Sequence, residues 1–128
     1  MKQREIKFRG KHFATKKWVY GGYSINKFGN DIIIEFKKEI FHVVNPKTVG
    51  QFTGLKDKNG KEIYEGDIVR LMKRDKKAVD FDIKPRKDCW LIEDIKEATW
   101  LQYYIEQKGD EYKVIGNIYE HASLLDNK

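Results

Sequence analysis

Two chain reversals lie close together in the middle of this sequence, and they constrain its fold more than any other feature. Asn59-Gly60 and Glu65-Gly66-Asp67 bracket Ile63 and Tyr64, and Ile68-Val-Arg-Leu-Met72 leaves the second reversal as an apolar run. Short strands joined by tight turns fit this spacing, with a strand through Val49–Thr53 leading in. Asn59, Gly60 and Gly66 reach backbone conformations that branched residues resist, and Asp57 and Asp67 can accept hydrogen bonds from turn amides. The block from Thr48 to Arg70 therefore predicts a turn architecture built from antiparallel strands.

The flanking sequence has the same character. Ile6 and Phe8 alternate with Lys7 and Arg9, and Trp18-Val-Tyr20 follows a polar stretch, so residues 4–9 and 17–25 predict a hairpin. Asp31–Phe36 and Ile40–Val44 predict a second one, closed by Asn45-Pro46. Beyond the central block, Lys73–Lys77 reads as a basic loop, Ala78–Ile83 and Cys89–Ile92 as strands, and Tyr112–Tyr119 as a strand before a last helical turn over His121–Leu125. Residues 94–108 differ. Asp94 and Glu97 have capping-box spacing, Ala98, Leu101, Tyr104 and Ile105 share a helical face, and Gly109 is a stop signal, which together predict a short helix. A strand through Trp100–Ile105, turning at Lys108–Asp110, is the competing reading. The expectation is a mainly β chain of 128 residues forming one domain over 1–128, with two lobes at 1–47 and 48–128.

Several chemistries lack their residues. A single cysteine, Cys89 beside Trp90, excludes an intrachain disulfide framework and reads as a buried thiol in a reducing cytoplasm. The charged first residues lack the apolar core of a secretion signal, and no stretch has the eighteen or so apolar residues of a membrane span. His12, His42 and His121 are scattered, and no G-x-S-x-G, Walker or dinucleotide pattern occurs. Asp57, Glu62, Glu65 and Asp67 form an oxygen-rich block, but its best alignment with a calcium loop puts Leu55 and Gly66 at the first and last ligand positions. The expectation is no catalytic residue, no metal and no cofactor.

Charge leaves one opening. The formal net charge is +6, from 26 basic and 20 acidic residues, and basic residues cluster at 1–17 and 70–77. If Ile6 and Phe8 face the core, Lys7 and Arg9 share the exposed face, and Arg70, Lys73 and Arg74 add a second cluster for phosphates or an acidic partner. Lysines on an exposed edge strand also discourage unwanted strand pairing. Trp18 and Tyr20 are stacking candidates, with the alternation placing at least one of them in the core.

Three blocks resemble the YopX proteins of bacteriophages and prophages. They are Arg4–Gly10 with Trp18–Gly21, the run Thr48–Val69, and Val114–Glu120 followed by Leu124-Leu125. The resemblance reaches both ends of the chain, while residues 22–45 and 73–111 are not diagnostic. Between the second and third blocks the family pattern implies a compact strand pair, where this chain carries Lys84–Asp88 and the 94–108 segment. The resemblance implies a phage or prophage accessory protein, mainly β, with N-terminal hairpins and a C-terminal small SH3-like barrel, and it brings no reaction with it. Two functions are expected of such a chain. The first is a non-enzymatic module that contacts a host or phage protein, and a second copy of itself, in the host cytoplasm. The alternative is a small β-barrel that binds nucleic acid through Lys7, Arg9, Arg70, Lys73 and Arg74.

Overall fold

The structure, a computed structural model, describes residues 5–72, 78–85, 90–93, 98–100 and 111–123. The chain divides into two compact units, Met1–Gly54 and Leu55–Lys128, and the division falls inside the central block rather than at its start.

The first unit holds strands β1 (Phe8–Lys11), β2 (Trp18–Ile25), β3 (Asp31–Glu35) and β4 (Ile40–Val43), paired antiparallel in the order β4-β3-β2-β1. Both expected hairpins are present. A 3₁₀ turn, Pro46–Thr48, is capped by the Asn45 side chain, which accepts from Lys47 N. The chain then enters β5 (Gly50–Lys56), which pairs with β1 through Gln51 opposite Phe8 and Gly50 opposite Arg9. The strands curl. Phe13 N donates to Val43 O, Asn45 N donates to Lys11 O, and His12 bridges Val44, so the end of β4 meets the chain just past β1. Gly21 makes this curvature possible, because a Cβ there would lie 1.8 Å from the carbonyl oxygen of Ile34 on β3. Ile33 and Val44 are buried on one face of the sheet.

In the second unit β5 ends in a hairpin with β6 (Glu62–Tyr64), and β7 (Asp67–Met72), β8 (Ala78–Pro85), β9 (Trp90–Glu93), β10 (Ala98–Trp100) and β11 (Glu111–Asn117) pair antiparallel in the order β10-β9-β8-β7-β11. The core joins Ile63, Val69, Leu71, Ile83, Tyr112 and Val114, with Leu55 packed against them. β11 carries an irregularity between Val114 and Gly116 that shifts its register against β7.

Three expectations change. The helix over 94–108 does not hold where it can be seen: Ala98–Trp100 is a strand whose residues pair with Glu93, Ile92 and Leu91. Thr99 and Trp100 are strand formers by propensity, and a helix so short is marginal without strong packing. Residues 94–97 and 101–110, including the alternative turn at Lys108–Asp110, lie outside the described residues, as do Cys89, Lys73–Lys77 and the end of the His121–Leu125 turn. The strand expected over 4–9 begins only at Phe8, with Ile6 65% exposed. The second unit is an open antiparallel sheet with no closed barrel among the described residues, so the structure is mainly β without an SH3-like barrel being seen. Among these residues no helix is long and apolar enough to cross a membrane.

Candidate interaction surface

Two carboxylates of the central block, Asp57 and Asp67, form its turns. Asp57 Oδ1 accepts from Asn59 N and Lys61 N, both at 2.9 Å, and its Oδ2 accepts from Val114 N at 2.9 Å. One buried side chain thus closes its own turn and ties that turn to β11, which Lys58 N reinforces by donating to Tyr112 O. Burial pushes the Asp57 carboxyl up. The three amides and the nearby Lys61 charge outweigh burial and hold it below its ordinary value. Within the turn the only positive φ is at Gly60, +82°, with Gly60 N bonded to Asp57 O and Asp57 N to Lys61 O. Asn59 stays at negative φ, so this is a turn with one left-handed glycine and not the paired left-handed turn of Asn-Gly hairpins. Asp67, 1% exposed, accepts from Tyr64 N at 2.7 Å through Oδ2 and organises the second reversal. Among the described residues no group of His, Cys, Asp and Glu is arranged to hold a metal ion.

The predicted basic residues fare differently from one another. Arg9 is 5% exposed, which corrects its assignment to an open face. The register sets it opposite Tyr20, and its guanidinium lies 4.5 Å from the Trp18 ring centroid. Stacking on a ring lets an arginine be covered while its apolar stem packs. Lys7 is half-buried, 3.3 Å from Glu5 and 5.0 Å from the Phe52 ring centroid. Arg70, in the other unit, is exposed and doubly bonded to Asp80 at 2.9 and 3.2 Å, which raises its already high pKa. Lys73 and Arg74 lie outside the described residues.

What sequence reasoning missed is apolar. Ile6, Phe13, Tyr20, Tyr23, Ile25, Phe28, Phe36, Ile40 and Phe41, all in the first unit, are large hydrophobics that stand exposed. On one face of the sheet, Phe41, Ile34 and Gly22 lie in register across β4, β3 and β2. Gly22 has no side chain, and the Phe36 ring occupies the space: a Cβ on Gly22 would sit 3.2 Å from Phe36 Cε1. Two residues along β2, on the same face, is Tyr20, with Trp18 beyond it. Phe36 is 61%, Phe41 67% and Tyr20 48% exposed. Neither Trp18 nor Tyr20 is a core residue, contrary to the expectation that one would be, because residues two apart on a strand share a face. The opposite face carries a polar set: Tyr23 donates to Asp31 Oδ2 at 2.7 Å, which raises the phenol's pKa, and His42 Nε2 lies 3.0 Å from Glu35 Oε1. The signal that was available is that Ile32, Ile33 and Ile34 follow one another, with Phe36 two places on, so apolar residues fall on both faces of β3, more than four strands cover.

A mainly β chain of two compact units, with exposed rings on its N-terminal sheet, is the class of protein these features define. The family model described as YopX protein matches residues 7–126, and the chain belongs to the YopX family. Among solved structures it is similar to the crystal structure of protein EF1440 from Enterococcus faecalis, with 25% sequence identity, 96% of this chain and 99% of that one covered, and a TM-score of 0.61. No curated protein matches the chain.

Proposed function

We propose that this chain is a non-enzymatic interaction module, a phage or prophage accessory protein of the host cytoplasm, whose N-terminal sheet presents an apolar surface to another protein and to a second copy of itself. One observation carries the reading: Phe36, Phe41 and Tyr20 stand exposed and share one face of the N-terminal sheet with half-buried Ile34. Contiguous exposed apolar surface on a folded domain marks interaction sites, and aromatic residues dominate the binding energy of such sites. Asp57 and Asp67 are committed to forming the turns of the central block. The SH3-like relationship of the second unit belongs to the same proposal and rests on the resemblance of the central and terminal blocks.

The test compares capture by the wild type and by the Phe36→Ser/Phe41→Ser variant from infected cells, each checked by circular dichroism. A protein recovered with the wild type and lost with the variant supports the reading. Identical recovery with both sinks it.

A second reading, nucleic-acid binding, is favoured by the stacking of Arg9 and Lys11 on Trp18, the latter at 5.8 Å, beside exposed Tyr20. Aromatics interleaved with cations bind single strands, and affinity then falls steeply with salt. Titration of labelled DNA and RNA at two salt concentrations decides this reading, and absence of binding at low salt removes it.

A further inference from the structure

Charge is divided unevenly between the two units. Residues 1–54 contain eleven Lys and Arg against four Asp and Glu, a surplus of seven. Residues 55–128 contain fifteen against sixteen, a deficit of one, and the two balances give the chain's +6. The unit that carries the exposed rings therefore carries the whole positive excess.

The charges also have a place. Phe36 and Phe41 bound the turn between β3 and β4, and Lys37 and Lys38 stand exposed in that turn, with Lys38 Nζ only 4.0 Å from Glu35. At the other side of the same face Lys11 stands opposite Trp18, and Lys7 is two residues before Arg9 on the same strand line. The face has an apolar centre, Phe41, Ile34, Phe36 and Tyr20, with lysines at both margins.

Resting on the interaction-module reading above, we infer that the occupant of this face is an acidic protein segment whose own apolar side chains cover Phe36 and Phe41 while its carboxylates meet Lys37, Lys38 and Lys11. Charge complementarity is the argument for that chemistry. A second copy would bring another surplus of seven against the first, so a partner of opposite sign is electrostatically preferred. A protein suits the face better than a nucleic acid does: its exposed centre is phenylalanine with aliphatic Ile34, and Arg9 and Lys7 lie against rings rather than standing out towards phosphates.

The experiment uses the full chain and fluorescence anisotropy with three labelled probes: a peptide of alternating Glu and Phe with Ser spacers, the same peptide with Lys replacing Glu, and oligodeoxythymidine. The expected result is binding of the Glu/Phe peptide that weakens as salt rises, little binding of the Lys/Phe peptide, and a loss of about tenfold in affinity in both Phe36→Ser/Phe41→Ser and Lys37→Glu/Lys38→Glu. Equal binding of both peptides, still dependent on Phe36 and Phe41, overturns the acidic partner and leaves the interaction surface standing. Binding of oligodeoxythymidine in preference to either peptide overturns both in favour of nucleic acid. Binding of no probe, or binding indifferent to Phe36 and Phe41, overturns both outright.

Discussion

Asp57 shows how one side chain decides the fate of a segment. Its two oxygens accept three backbone hydrogen bonds, two inside the 57–61 turn and one from Val114, 57 positions away in sequence. An asparagine in its place would keep one acceptor and turn an amide donor towards one of those backbone N–H groups, leaving a buried donor unmatched. Asp57→Asn is expected to cost about 1–3 kcal/mol, read from chemical denaturation. The pH dependence follows from the direction of the shift. Because the folded-state pKa lies below the unfolded one, the unfolded chain binds the proton first as pH falls, and the Asp57 contribution is complete above the ordinary carboxylate range of about 4. Stability is lost as pH falls through that range towards the lower folded value. Denaturation midpoints measured from neutral pH downwards should fall less steeply in Asp57→Asn than in the wild type. Asp57 was legible as a turn-former in the sequence, since an acidic residue two before Asn-Gly has turn amides within reach. Its bond to Val114 was not, because no local pattern reports a partner so distant along the chain. Arg9 was misread for a related reason: alternation says that residues 7 and 9 share a face, but not which face is covered or that a tryptophan ring covers it.

Elements follow the same division between local and distant signals. Hairpins with strong turns and β-branched strands, β1–β2 and β3–β4, could be read from residues 4–44, since both signals are local. The 94–108 segment could not, because helical capping and aromatic alternation compete there and only the pairing of Ala98–Trp100 with β9 decides for strand. Gly21 tests the element scale directly. Any side chain there meets the Ile34 carbonyl, a backbone atom that cannot step aside without parting β2 from β3. Gly21→Ala is expected to destabilise by about 3 kcal/mol or more, at the upper end of single-residue effects, and to abolish amide-exchange protection along Tyr23–Ile25 before it does so in β7. Arg70 and Asp80 make the opposite case. Their bidentate pair of hydrogen bonds joins adjacent strands β7 and β8, but the arginine is exposed, so Arg70→Ala should change unfolding free energy by at most about 1 kcal/mol, read from chemical denaturation. A larger loss would mean that the pair has a role in aligning β8 that solvent screening ought to erase.

On the scale of the whole molecule the two features of the first unit, exposed rings and surplus charge, pull self-association in opposite directions. Bringing Phe36 and Phe41 of two copies together removes apolar surface from water, a contribution on the order of 25 cal/mol per Å² that salt does not weaken. The same approach brings two strongly basic surfaces within a few ångströms, and that repulsion reaches about 10 Å at 0.1 M salt but only about 3 Å at 1 M. Salt must therefore act with opposite sign on the two partnerships this face can make: it weakens the grip on an acidic segment and strengthens that of one copy on another. Light scattering behind size-exclusion chromatography should find the wild type nearer to monomer at low salt and shifting towards dimer as salt rises, with the Phe36→Ser/Phe41→Ser variant monomeric throughout. A mass that falls with added salt would mean that copies meet through complementary charge instead, which would place the contact away from the basic unit and leave its aromatic face to other partners.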